Sequence, residues 1–189
     1  MKMNNLVIDL SKVLRGKKRV CNLWKGSKNL DFLSMSNASK GKVGVVAVKQ
    51  YLESQGFEAQ EISNQGDILY QKRPGSMWIK AEVKTSKANL TRLVSGQVNE
   101  MLWFNQVRPA QEEWDMLFLV GIYPNHVRIW QKTREDFLNN LAKMHSTVKG
   151  LSHVGTSDLA QVTLKKNSKI DNFHEWEIVH NDQAFFLCY

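Results

Sequence analysis

Asp67-Ile-Leu-Tyr-Gln71, Lys72-Arg-Pro-Gly-Ser76 and Trp78-Ile-Lys-Ala-Glu-Val-Lys84 are the words on which the fold turns. The two outer runs have strand character, and Pro74-Gly75 is strong turn punctuation between them, so the stretch predicts a β-hairpin. Alternate residues of a strand share a face. Trp78, Lys80, Glu82 and Lys84 therefore lie on one face of the second strand. Ile79, Ala81 and Val83 lie on the other, ready to pack against a helix. Asp67 opens the partner strand within reach of Glu82. Two carboxylates beside a lysine suit a hard divalent cation, which takes oxygen ligands and only one or two carboxylates. Such a metal activates water for attack on a phosphate, and a lysine can orient that water or stabilise the developing charge. The backbone carbonyl of Val83 is a candidate further ligand. The plain alternative for the same residues is a solvent-facing strand edge.

On both sides the pattern continues. Residues 37–56 predict a helix, with Asn37 or Ser39 as cap, an apolar stripe through Val43, Val46, Ala47 and Tyr51, and Gly56 as its stop. Phe57–Ile62 reads as a strand leading into the hairpin. The order is thus helix, strand, strand, strand.

This arrangement resembles the PD-(D/E)XK nuclease superfamily, and within it the small type II restriction endonucleases. The matching residues are Gly66-Asp67, fourteen intervening residues, and Glu82-Val83-Lys84, with Lys40-Gly-Lys-Val-Gly44 through Gly56-Phe57 resembling the family's first helix. Gly66 stands where the motif's proline is expected. The resemblance spans residues 40–130. It implies an α/β (α+β) fold: a restriction-endonuclease-like core with a mixed central β-sheet flanked by helices. It implies that Asp67 and Glu82 hold Mg²⁺, with Mn²⁺ able to substitute, and that Lys84 is the catalytic lysine. The metal-shaping glutamate of many members is absent near Val45 and Val46, leaving Glu53 and Glu61 as substitutes. The implied partner is double-stranded DNA, cleaved by a homodimer in a restriction-modification setting. The alternatives are a structure-specific repair or recombination nuclease, or a non-catalytic DNA-binding protein.

Downstream, Thr85–Gly96 reads as a polar, basic connection. Its Lys87 and Arg92 serve either as phosphate contacts or as surface charge. Residues 95–107 read as a second helix closed by Pro109. Phe104-Asn-Gln-Val-Arg-Pro109 followed by Trp114-Asp115 resembles the glutamine-rich helix after the Glu-x-Lys strand. That places Gln106 at the edge of the site and Arg108 near a phosphate. Asp115–Tyr123 is a near-continuous apolar run, suited to a buried central strand. Pro124-Asn125 turns the chain, and His126–Trp130 returns as a strand. Thr133-Arg-Glu-Asp136 is a capping box opening a packing helix. Residues 145–170 read as a polar loop in which His153 and Ser157 are candidates for reading base edges. Phe173–Val179 and Ala184–Tyr189 read as two further strands.

A chain of 189 residues fits one domain: a basic arm at 1–36, the nuclease core at 37–130, and a C-terminal helix, loop and strands at 131–189. Net charge of +8 favours an acidic partner, with nucleic acid first. Lys40 and Lys42 join the candidate DNA contacts. In the arm, Arg15-Gly-Lys-Lys-Arg19 and Trp24-Lys-Gly-Ser-Lys28 combine basic residues with an aromatic, as a phosphate grip or a solvated loop. Two cysteines, Cys21 and Cys188, carry neither zinc spacing nor a disulfide framework. With no secretory leader pattern and no run long enough for a membrane span, a cytoplasmic protein of prokaryotic or phage type is expected.

Overall fold

A computed structural model describes residues 23–62, 67–92, 98–108, 114–143, 151–153, 160–165 and 177–179. A 3-10 turn at Leu30–Ser34 leads into α1 (Asn37–Ser54). Then come β1 (Glu58–Ile62), β2 (Asp67–Gln71), β3 (Ile79–Lys87), β4 (Asn89–Arg92), β5 (Val98–Val107), β6 (Met116–Ile122) and β7 (Val127–Thr133). The remaining elements are α2 (Arg134–Lys143), β8 (Leu151–His153), β9 (Ala160–Lys165) and β10 (Glu177–Val179). They form a mixed six-stranded sheet in the order β1-β2-β3-β6-β7-β10 and a four-stranded sheet in the order β4-β5-β9-β8. Every pairing is antiparallel except β3 with β6.

The predicted hairpin forms, with Ile68 opposite Ala81 and Tyr70 opposite Ile79. Its turn is closed locally. The Ser76 N–H and hydroxyl both donate to the Arg73 carbonyl at 3.0 and 2.7 Å, and Gly75 takes a φ of 85°. That left-handed conformation is cheap only for glycine. The predicted faces also hold. Ala81 and Val83 are buried with Val43, Val48 and Leu52 of α1.

β6 shows why its sequence is almost uniformly apolar. Phe118, Val120 and Ile122 join the core under α1, while Leu117 and Leu119 join a second core against Leu102, Phe104, Val162 and Leu164. A strand covered on both faces has no polar face to expose. At about 1.5–3 kcal/mol for each large apolar side chain fully buried, this strand anchors both layers. Gly121 faces the second core, where a Cβ would stand 2.8 Å from the Trp130 ring and 2.9 Å from Leu102.

α1 is capped by Ser36 rather than by Asn37 or Ser39. The Ser36 hydroxyl accepts the Ser39 N–H at 3.1 Å, with an extended backbone at the cap. Gly56 ends the helix with a φ of 83°. Gly44 lets the helix settle onto β3, since a Cβ there would lie 1.8 Å from Thr85 Oγ1. Gly44→Ala is expected to cost about 1–3 kcal/mol through overpacking. Thr85→Ala should recover part of that loss in the double variant. Urea denaturation of the two single variants and the double checks both statements.

Three expectations are corrected. Residues 98–107 form β5, not a helix. Leu102 and Phe104 turn inward while Trp103 and Asn105 are exposed, which is period two. A short apolar run fits both periods. Pairing with β4 and β9, the latter some sixty residues away by sequence count, settles it as a strand. Around the central sheet, α1 covers one face, and the second sheet together with Phe137 of α2 packs on the other. The supposed polar loop at 145–170 contains β8 and β9, whose Val162 and Leu164 are fully buried. Likewise the end of the N-terminal arm belongs to the core: Trp24, Phe32 and Met35 are buried beside α1. The basic cluster Arg15–Arg19 and the predicted strand Ala184–Tyr189 lie outside the described residues.

The Thr133 cap is as expected, its hydroxyl accepting the Asp136 N–H at 3.1 Å. Among the described residues no helix is long and apolar enough to cross a membrane.

Burial, helped by Asp115 and Tyr51, pushes the Tyr70 phenol up to about 12. In an unfolded chain a tyrosine ionises near pH 10. Below that pH both states are neutral. Above it the unfolded state loses a proton that the folded state keeps, so stability falls as pH rises from about 10 to about 12. The slope expected from Tyr70 is up to about 1.4 kcal/mol per pH unit. Urea midpoints measured at about pH 9 and about pH 11 should converge partly in Tyr70→Phe.

Candidate active site

β3 carries the site. Asp67 is the register partner of Glu82 across the β2–β3 ladder, and Lys84 lies two residues further along β3. Directly paired residues of an antiparallel ladder share a face with Cβ atoms about 4.5–5.5 Å apart. Asp67, Glu82 and Lys84 therefore occupy one patch of one face, the one turned from α1 toward the second sheet. Among the described residues β2 begins at Asp67, whereas β3 runs on from Val83 to Lys87 paired only with β6. The patch thus sits where the β2–β3 ladder ends.

Glu82 is 2% exposed, more buried than Lys84. Its carboxylate forms an ion pair with the Lys84 ammonium, whose side chain is 24% exposed. A buried carboxylate needs such a partner, because unpaired burial of charge is costly. Lys84 is the link between this buried acid and solvent. Next to the patch, the start of β3 is locked to β6. The Lys80 N–H donates to Asp115 Oδ2 at 2.8 Å, and the Asp115 N–H donates to the Lys80 carbonyl at 2.8 Å.

The proposed additional acids do not join the site. Glu61 is paired with Ile68, in the row of Ala81, so it belongs to the opposite face from Glu82. Glu53 is on α1, which covers that opposite face, and it pairs with Lys49 at 3.9 Å in an i,i+4 contact. Gln106 is on β5, in the second sheet, and the glutamine-bearing helix of the resemblance is absent at this place. Among the described residues no three His, Cys, Asp or Glu side chains form a metal-holding group.

The candidate DNA contacts are dispersed. Lys87 is exposed at the end of β3, and Arg108 is exposed just beyond β5. Arg92 ends β4 and His153 ends β8, both placed by backbone. Lys42 is exposed on α1, and Lys40 lies 5.7 Å over the Phe32 ring, so both belong to the layer behind the sheet. Ser157 lies outside the described residues.

Sequence reading missed two groups. Lys132 shares a cross-sheet row with Asp67, Glu82 and Leu117. Nothing local signals this, because the row is assembled by the parallel β3–β6 pairing. The second group is a buried ion cluster between the sheets. Arg128 bonds both carboxylate oxygens of Glu177, its Nη2 at 2.6 Å, and its Nη1 donates to Glu100 at 3.2 Å. Burial lowers the Arg128 pKa, but hydrogen bonds to Glu177 and the surrounding charges outweigh it and leave the guanidinium above its ordinary value. Burial likewise drives the neighbouring Tyr123 phenol far up. His126, in the turn just before β7 and not in the strand expected of it, stacks on Tyr123 with ring centres 4.5 Å apart, which gives it a packing role.

No protein-family model, no curated protein and no solved structure matches the chain.

Proposed function

We propose that this protein is a Mg²⁺-dependent DNA endonuclease of the PD-(D/E)XK type, acting on double-stranded DNA in the manner of a small type II restriction enzyme. The observation that carries this reading is the register of Asp67 against Glu82 with Lys84 two residues on. Helix α1 followed by the β1–β2–β3 meander, and a net charge of +8, support it. A donor set of two carboxylates in adjacent register fits Mg²⁺ or Mn²⁺, both of which prefer oxygen. Asp67 and Glu82 would hold the ion, with the Val83 carbonyl as a further donor. When bound, the metal supplies Lewis-acid polarisation of a phosphate oxygen and a more acidic water. Lys84 orients the attacking water and offsets charge developing on the phosphate. Before that, Lys84 must exchange its bond with Glu82 for one to water or phosphate. Its partial exposure makes that exchange accessible.

A homodimer would match a palindromic site and belongs to the same proposal. Digestion of plasmid and genomic DNA with Mg²⁺, and with EDTA as control, tests the reading. Discrete Mg²⁺-dependent fragments are expected. Preference for a four-way junction over plasmid would instead identify a structure-specific nuclease. Salt-sensitive binding without cleavage in Mg²⁺ or Mn²⁺ would identify a non-catalytic DNA-binding protein. The closed Glu82–Lys84 pair and the sheet over that face favour this second reading.

A further inference from the structure

The second sheet has an outer face that the cleavage reading does not use. Leu102, Phe104, Val162 and Leu164 point inward and are buried. By alternation, Asn89, Thr91, Met101, Trp103, Asn105 and Thr163 lie on the outward face. Trp103 is 42% exposed, one of two large hydrophobic side chains exposed among the described residues. It sits in a central strand of the sheet, between amide, hydroxyl and thioether neighbours. No described element covers this face.

Charge sorts the occupant. β4, β5, β8 and β9 contain one acidic residue, Glu100, and it turns inward to Arg128. The outward face therefore carries no carboxylate from these strands. Lys165 is in register with Met101, in that outward row, and the exposed Arg108 follows directly on β5. An acid-free sheet with an exposed indole at its centre and cations at its rim fits a strand of unpaired nucleotides. Bases stack on the aromatic, amides and hydroxyls meet base edges, and the rim meets phosphates. A duplex hides the faces of its bases and leaves the indole unused.

We propose that the outer face of the β4-β5-β9-β8 sheet binds single-stranded nucleic acid, with Trp103 as its stacking platform. This site is separate from Asp67, Glu82 and Lys84 and does not depend on their cleaving anything. Binding is measured by fluorescence anisotropy with a labelled oligothymidine in EDTA, so that cleavage plays no part. Wild type, Trp103→Phe and Trp103→Ala are compared, each checked by circular dichroism. Oligothymidine binding should weaken about tenfold in Trp103→Ala, the scale of one lost base–aromatic stack. Trp103→Phe should retain most of the affinity, and a duplex of the same length should show no dependence on Trp103. Three results overturn the proposal: unchanged or absent oligothymidine binding, an equal Trp103-dependent loss on duplex, or Trp103-dependent retention by a neutral polysaccharide in place of the oligonucleotide. Failure of plasmid digestion would leave it standing, because no arm of this experiment requires cleavage.

Discussion

Lys84→Ala is expected to lower Mg²⁺-dependent DNA cleavage by at least about 10²-fold, and Glu82→Gln by at least as much. The two residues reach this result by different routes. In the proposed mechanism Glu82 supplies an oxygen donor beside Asp67, and the amide of Gln keeps the shape of the side chain while removing its charge. In the same proposed mechanism Lys84 supplies the cation near the attacked phosphate. The same two side chains are also ion-paired at rest, so each substitution disturbs the fold as well. Lys84 is partly exposed, and the stability loss should fall below the about 3–5 kcal/mol of a fully buried broken pair. Lys84→Arg separates chemistry from structure. It preserves a cation for Glu82 but spreads the charge over a planar fork that cannot reproduce the ammonium's position. Single-turnover cleavage rates are to be read beside melting temperatures for all three variants. If the catalytic assignment is correct, Lys84→Arg melts close to wild type yet remains slow. A Lys84→Arg enzyme of wild-type rate, with the other variants losing activity only as they lose folded protein, would make the pair structural.

The hairpin that positions these residues was legible because its signals are local. Pro74-Gly75 marks the turn, and alternation from Ile79 to Lys84 sorts the faces without any knowledge of the partners. β6 was legible for a related reason, since burial on both faces forces an apolar run. β5 was not. Val98–Val107 satisfies a helical and an alternating pattern alike, and the choice is made by β4 and β9, which the run cannot announce. The same non-locality hid the second sheet. That sheet takes residues 98–107, Gln106 among them, out of the expected second helix. The third acid was misplaced for a geometric reason. Glu61 is close to Asp67 along the chain, but its register with Ile68 puts it on the opposite side of the sheet. The ion cluster was hidden differently, because Arg128 in an alternating strand looks like a solvent-facing residue until the second sheet is laid over it.

Arg128→Ala should be the most destabilising single substitution considered, at about 3–5 kcal/mol. Arg128 joins three strands that are distant in sequence: its own β7, β5 of the second sheet through Glu100, and β10 through Glu177. The Glu177 side chain is 3% exposed and the Glu100 side chain 15%. Removing the guanidinium leaves two carboxylates facing each other without their cation, and little solvent reaches either. The ring of Trp130, over which the guanidinium lies at 5.5 Å, loses that contact too. Against a typical total of about 5–15 kcal/mol, this loss is a large fraction of folding stability. Yet the cluster's net worth is far smaller than the cost of breaking it, because desolvating three charged groups offsets most of their attraction. A triple variant, Arg128→Met with Glu100→Leu and Glu177→Leu, should therefore recover most of the loss. Urea denaturation of the single and triple variants measures this directly. Full recovery in the triple variant would assign the cluster a role in fixing how β5, β7 and β10 meet. No recovery would mean that the charges themselves supply net stability between the two sheets.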